Sequence, residues 1–288
     1  METQIVDGIT LVFDAREQEA ADLIGDAAAR SVRLIQKCWG LEAPKTCRVY
    51  VMTSWLHFIF HSASWPMRVL YAATLPFWYT KTKKLWPSIA GCTQTYQRRP
   101  AIGVKPPRLL DTADRAIGQK IYIQEDDTSR KVQGVVCHEM AHAFSAHLKL
   151  PLWLNEGIAM VTVDRFFERP TVKPETIGML QAGSLGRKPA EYRHLFRMKA
   201  DETAYQYVRG YWLTRYLEDR CPDLMRSLLS HRRRVRSLEQ QIATELGIQP
   251  SLLWREINAV VVNHFVRGGT EQEKAVAQIR THPLVSQD

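Results

Sequence analysis

The sequence predicts an α+β fold, and three observations carry that expectation. Short β-branched and aromatic runs fall before residue 125, helical apolar spacing dominates after residue 152, and a helix bearing two histidines joins the two regions. No internal repeat or low-complexity tract interrupts the chain. We therefore expect a small mixed sheet followed by a mainly helical C-terminal half. Residues 1–129 read as an N-terminal α/β lobe with an insertion at about 55–99, residues 130–268 as a helical lobe, and 269–288 as a loose polar tail. At 288 residues the chain can bury a sizeable core, in one domain or in two packed lobes.

The elements follow in order. Residues 9–13 form a short strand. Asp14 and Glu17 are spaced as a capping box that opens a helix, in which Leu23, Ile24, Ala27, Leu34, Ile35 and Cys38 recur at helical spacing up to Gly40. Residues 47–53 (CRVYVMT) read as a buried strand. The 55–99 insertion is aromatic, basic and interrupted by proline, and we expect one or two short helices in it. Residues 101–104 and 120–124 are further strands, the second (KIYIQ) alternating in polarity as an edge strand does. Asp127, Thr128 and Ser129 can cap the next helix, which stops before Pro151. Helices are then expected at 153–167, 174–181, 202–219, 222–230, 237–246 and 251–266.

Composition narrows the class. A hydrophobic share of 45% with 24% charged residues is that of an ordinary globular chain, not a disordered one. The first residues have neither the basic start nor the apolar core of a secretory signal. The uncharged run 69–80 is too short to cross a bilayer, so no transmembrane segment is expected, although the segment is compatible with docking on a membrane surface. Five cysteines without a CxxC pair read as reduced thiols of a cytoplasmic protein. The net charge of +9 is uneven: residues 43–110 contain no Asp or Glu, yet hold Lys45, Arg48, Arg68, Lys81, Lys83, Lys84, Arg98, Arg99, Lys105 and Arg108. The plain reading is a solvated basic face; the sharper one is a surface for an acidic partner, whether phospholipid, nucleic acid or substrate.

The chemistry concentrates in His138-Glu139-Met140-Ala141-His142 and in Trp153-Leu154-Asn155-Glu156-Gly157. Residues four apart on a helix lie one above the other, so the two imidazoles share a face, with Glu139 beside them. A catalytic zinc site needs a third protein ligand and an open position, and Glu156, past a proline-marked turn, is the candidate. The pentad lies in an apolar run (Val135, Val136, Ala143, Phe144), where unpartnered polar groups cost ~1–3 kcal/mol each. His147 points roughly 140° away round the helix, and His57 and His61 lack a carboxylate, so we read these as packing or interfacial histidines.

HEMAH with a downstream WLNEGIA resembles the gluzincin metallopeptidases, in particular aminopeptidase N and its peptidase MA-like relatives. Tyr207-Val-Arg-Gly210 with Tyr216-Leu217-Glu218 is similar to a further helix of that family. The resemblance covers residues 120–229 and implies a zincin-like (thermolysin-like) fold. It further implies one Zn2+ held by His138, His142 and Glu156, with Glu139 as general base, Tyr207 as oxyanion donor, and a peptide or protein as substrate. Tyr205 and Tyr211 compete with Tyr207 on spacing alone, Tyr211 sharing its helical face. Only 13 residues separate His142 from Glu156, fewer than is usual in the family, and no GxMEN motif precedes the pentad. Met160 stands where a thermolysin-type carboxylate would orient the histidines, leaving Asp164 and Glu202 as candidates for that task. A different class of function is a gluzincin-fold binding or scaffold protein, using its basic aromatic region at a membrane surface or nucleic acid with little or no catalysis.

Overall fold

The computed structural model describes residues 1–96, 99–110, 117–182, 188–195 and 197–266, apart from the side chains of Lys81, Lys84 and Leu85. Arg98 of the basic stretch and the expected 269–288 tail lie outside the described residues. Five strands, β1 (Glu2–Val6), β2 (Ile9–Phe13), β3 (Arg48–Val51), β4 (Gly91–Tyr96) and β5 (Arg99–Val104), pair in the order β1-β2-β3-β5-β4. The three inner strands are parallel, and β1 and β4 run antiparallel at the edges. The protein is thus a mixed α/β structure with a small mixed sheet, and its strands precede most of its helices.

Two strands escape the sequence reading. The turn that makes β1 is Asp7-Gly8, with φ of 45° and 79°, the two-residue arrangement whose twist suits a hairpin. The other, β4, lies within the 55–99 insertion. That insertion also differs from expectation in length of helix: α2 (Trp55–Ser62) is short, but α3 (Trp65–Leu85) runs 21 residues with Pro76 inside it. Together they cover one face of the sheet, where Val12, Tyr50, Met52, Phe58 and Ile59 form a small second core. On the other face lies the main core, which is why residues 47–53 show no polar alternation.

The opposite correction applies at 120–124, which is not a strand. Gly118–Ile121 is a helical turn (α4), and Tyr122 makes only an isolated bridge to Val172. Ile121 O and Ile123 N bond to the backbone at 171–173, so this segment's groups are satisfied away from the sheet. Alternation over five residues does not distinguish a turn plus a bridge from a strand.

α1 (Gln18–Trp39) packs on the sheet and stops at Gly40, whose φ of 64° makes a left-handed cap. Asp14 caps the 3-10 turn before it, accepting from Arg16 N at 3.2 Å. Glu17 does not close the expected box: it is buried and bonded to Arg108. Asp127 accepts from Ser129 N and Arg130 N to start α5 (Thr128–Ser145). Then come α6 (Leu152–Phe166), α7 (Ile177–Ala182), α8 (Tyr192–Leu195), α9 (Ala200–Arg220), α10 (Pro222–Ser230), α11 (Val235–Glu245) and α12 over 253–266. One contiguous apolar cluster joins the sheet, α1, α5, α6 and the later helices.

The central helix is α6, buried on nearly every side. Trp39 Nε1 donates to Thr162 Oγ1 at 2.8 Å, tying it to α1. Its crossing with α9 is closer than side chains allow. A Cβ on Gly157 would stand 2.3 Å from Gly210 O, and one on Gly210 would stand 2.2 Å from Trp153 O. These two glycines bring the residues that follow the α6 N-terminus against the middle of α9.

Candidate metal centre

Three helices build the site. α5 presents His138 and His142 with Nε2 atoms 3.0 Å apart, and α6 turns the Glu156 carboxylate towards both. Glu156 Oε2 lies 3.4 Å from His138 Nε2, and Oε1 lies 3.6 Å from His142 Nε2. The three residues therefore converge, and among the described residues no other three His, Cys, Asp or Glu do so. A tetrahedral ion with bonds of about 2.0–2.1 Å has ligand atoms about 3.3 Å apart, so these separations suit Zn2+. The donor set, two imidazoles and one carboxylate, is that of a catalytic rather than a structural zinc site.

Electrostatics agree with that fit. Glu156 is buried, and its Oε2 makes no hydrogen bond. Burial alone would raise the Glu156 pKa, but the facing histidines overcome it and hold the carboxyl down at about 2. Burial likewise disfavours the charged form of His142, yet the Glu156 carboxylate outweighs it and lifts the ring to about 9. Near neutral pH the Glu156 carboxylate and the His142 ring therefore carry opposite charges.

Glu139 stands beside this triad and is not part of it. Its carboxylate accepts a hydrogen bond from Thr93 Oγ1 at 2.7 Å, and the same hydroxyl lies 3.1 Å from the Glu139 carbonyl. Thr93 belongs to β4, which passes close over α5 because of Gly91. A Cβ there would meet Val135 Cγ1 at 2.6 Å and Glu139 Cγ at 2.8 Å. Of the two strands not expected from the sequence, β4 is thus the one that holds Glu139.

The residue that reaches His142 is Asn155, through Nδ2 and His142 Nδ1 at 2.8 Å, with Asn155 Oδ1 accepting from Ser145 Oγ at 2.7 Å. Asp164 and Glu202, the two candidates for that task, are engaged elsewhere. Asp164 accepts from Tyr211 Oη at 2.6 Å and from Thr171, and pairs with Arg215; Glu202 accepts from Lys199 N at the start of α9. A carboxylate two helical turns beyond Glu156 points at α9, not back at α5. Asn155, next to the ligand candidate in sequence, needed only the observation that α6 starts beside the last turns of α5.

Three tyrosines flank the site. Tyr207, from α9, feels the charges of Glu156 and Glu139 and the nearby Tyr122 and Tyr192. Burial first, and Glu156 second, hold its phenol well above the usual range, so it stays a hydrogen-bond donor. Tyr211 is committed to Asp164, and Tyr205 Oη accepts from Asn258 Nδ2 at 2.9 Å, so neither competitor faces the triad. Tyr192 was not foreseen. It receives a hydrogen bond from Asn155, and burial, with Glu156 next, raises its pKa. His147 is turned to Phe144 O, and His57 and His61 stack on each other in α2 with ring centroids 4.2 Å apart.

Compared with protein-family models and with curated proteins, the chain matches none. Its function is therefore argued from this geometry.

Proposed function

We propose that the chain is a zinc-dependent peptidase of the gluzincin type, with a zincin-like fold, that hydrolyses peptide bonds in a peptide or protein substrate. One observation carries the reading: His138, His142 and Glu156 converge, and Glu139 is held beside them by Thr93 of β4. His138, His142 and Glu156 would hold Zn2+, which would supply Lewis acidity and bring the pKa of a bound water towards ~7. Glu139 accepts the proton of the attacking water and passes it to the leaving amine. Thr93 fixes which carboxylate oxygen is free to do so, since Oε2 is already accepting. Tyr207 donates to the oxyanion, an interaction worth about 2.7–4 kcal/mol for single donors of this kind. An extended substrate pairs with β4, an edge strand next to Glu139.

Five free thiols support a reducing, cytoplasmic setting, and no helix among the described residues is long and apolar enough to cross a membrane. The test is Glu139→Gln, assayed on a peptide library with and without a chelator. The variant is expected to keep its zinc and lose turnover by several orders of magnitude; unchanged turnover removes the mechanism. The second reading, a binding protein with little catalysis that meets an acidic partner through residues 43–110, is favoured by the apolar outer face of α3. It requires that charge reversal at Lys81, Lys83 and Lys84 abolish function while Glu139→Gln leaves it intact.

A further inference from the structure

A surface helix normally turns its polar side outwards. α3 does the reverse. Tyr71, Thr74, Trp78 and Thr82, spaced three and four apart, line a groove of about 340 Å³ against Trp55 and Ile59 of α2. The opposite stripe, Trp65, Val69, Ala72, Pro76 and Thr80, faces solvent, with Phe77 at its flank, while Leu70, also exposed, borders the groove. Trp65 is 75% exposed and Phe77 82% exposed, on a helix about 32 Å long by its 21 residues. Apolar side chains line both faces, which is why hydropathy does not segregate along it. Arg68, at the first turn, is fastened to the carbonyls of His61 and Ala63 and so pins α3 to α2. Lys83 is exposed at the other end, flanked in sequence by Lys81 and Lys84.

We infer that this outer face of α3 docks, lying flat, on an anionic phospholipid bilayer. The inference stands on surface chemistry and is independent of the peptidase reading. Aromatic and aliphatic side chains on one stripe, with cations at the end and no acid from residue 43 to 110, are what an interfacial helix presents to lipid. Charge selects the partner: an uncharged apolar face is indifferent to headgroup sign, but this one is flanked by cations alone. A nucleic acid would call for cations along the stripe itself, where Trp65, Val69, Pro76 and Phe77 stand instead. A spanning arrangement is excluded for the described helices.

The test is co-sedimentation of the full chain with vesicles of about three parts phosphatidylcholine to one part phosphatidylglycerol, against vesicles of phosphatidylcholine alone. Binding is expected to the anionic vesicles and to fall at least tenfold in Trp65→Ser/Phe77→Ser and in Lys83→Glu. Neither change removes a buried group, and unaltered circular dichroism checks the fold. Should the double variant misfold, brominated lipid provides a second arm, quenching emission of the native chain more than that of Trp65→Phe. No vesicle binding, or binding that salt removes and Trp65→Ser/Phe77→Ser does not, overturns the proposal. So does concentration-dependent self-association that Trp65→Ser/Phe77→Ser abolishes without any vesicle binding, because the face is then covered by a second copy.

Discussion

Gly210→Ala tests whether the α6–α9 crossing sets the site. The added Cβ would lie 2.2 Å from Trp153 O, where 3.4 Å is an ordinary contact, so the two backbones must part by about 1.2 Å. The obstacle is a main-chain oxygen and cannot rotate aside as a side-chain end would. Overpacking costs typically 1–3 kcal/mol, and the rigidity of this contact places the change near about 3 kcal/mol. For a chain of this size that lowers the melting temperature by about 6–12 °C, at roughly 2–4 °C per kcal/mol. The control is Gly178→Ala in α7, where a Cβ meets nothing within 4 Å and φ is not positive. That change should be neutral or stabilise by up to about 1 kcal/mol. The parting also carries Tyr207 away from Glu156, and a misplacement of about 1 Å costs on the order of 100-fold in rate. Thermal melts by circular dichroism and peptide turnover read both effects. A Gly210→Ala protein that melts within about 1 °C of the parent would refute the close crossing and, with it, this account of how Tyr207 reaches the site.

Two changes probe the groups that hold the site in order. Thr93→Val removes the hydroxyl bonded to Glu139 at nearly constant shape. Turnover should fall about 10–100-fold while zinc content, measured by atomic absorption, stays at one per chain; an unchanged rate would mean that Glu139 needs no such support. Asn155→Leu removes the partner of His142 Nδ1. It should weaken zinc about 10–100-fold in competition with a chromophoric chelator, with Asn155→Asp recovering part of the loss because an oxygen then meets the ring nitrogen.

What the sequence made legible follows the range of the interactions concerned. His138 and His142 are four apart on one helix, so their meeting is local and periodicity suffices. Glu156 lies across a single proline-marked turn, and α6 has few ways to fold back from it. Tyr207 is different. Fifty residues and two helices separate it from Glu156, and nothing local ranks it above Tyr211; resemblance favours it, and the Tyr211–Asp164 bond in the structure is what sets its rival aside. Thr93 was invisible because its role depends on β4 pairing with β5 and on Gly91 admitting α5, two long-range facts. The false strand at 120–124 has the converse cause: its alternation is real, but no strand is there to receive it. Asp7-Gly8 is a local hairpin signal, and it forms the turn between β1 and β2.

The triad admits two descriptions. In one, a proton binds His142 and makes an ion pair with Glu156, in keeping with the raised pKa of that ring. This leaves Glu156 Oε2 buried without a hydrogen bond and gives His138, 3.0 Å from its neighbour, one shared proton at most. In the other, a divalent cation sits among all three and satisfies each lone pair at once. The first places opposite charges on Glu156 and His142; a divalent cation would also suit the convergence of both rings, the burial of the carboxylate and the separations near 3.3 Å. It also explains Asn155. A ring bound through Nε2 carries its proton on Nδ1, and half a turn of the Asn155 amide brings Oδ1 to accept it, while Ser145 Oγ then accepts from Nδ2.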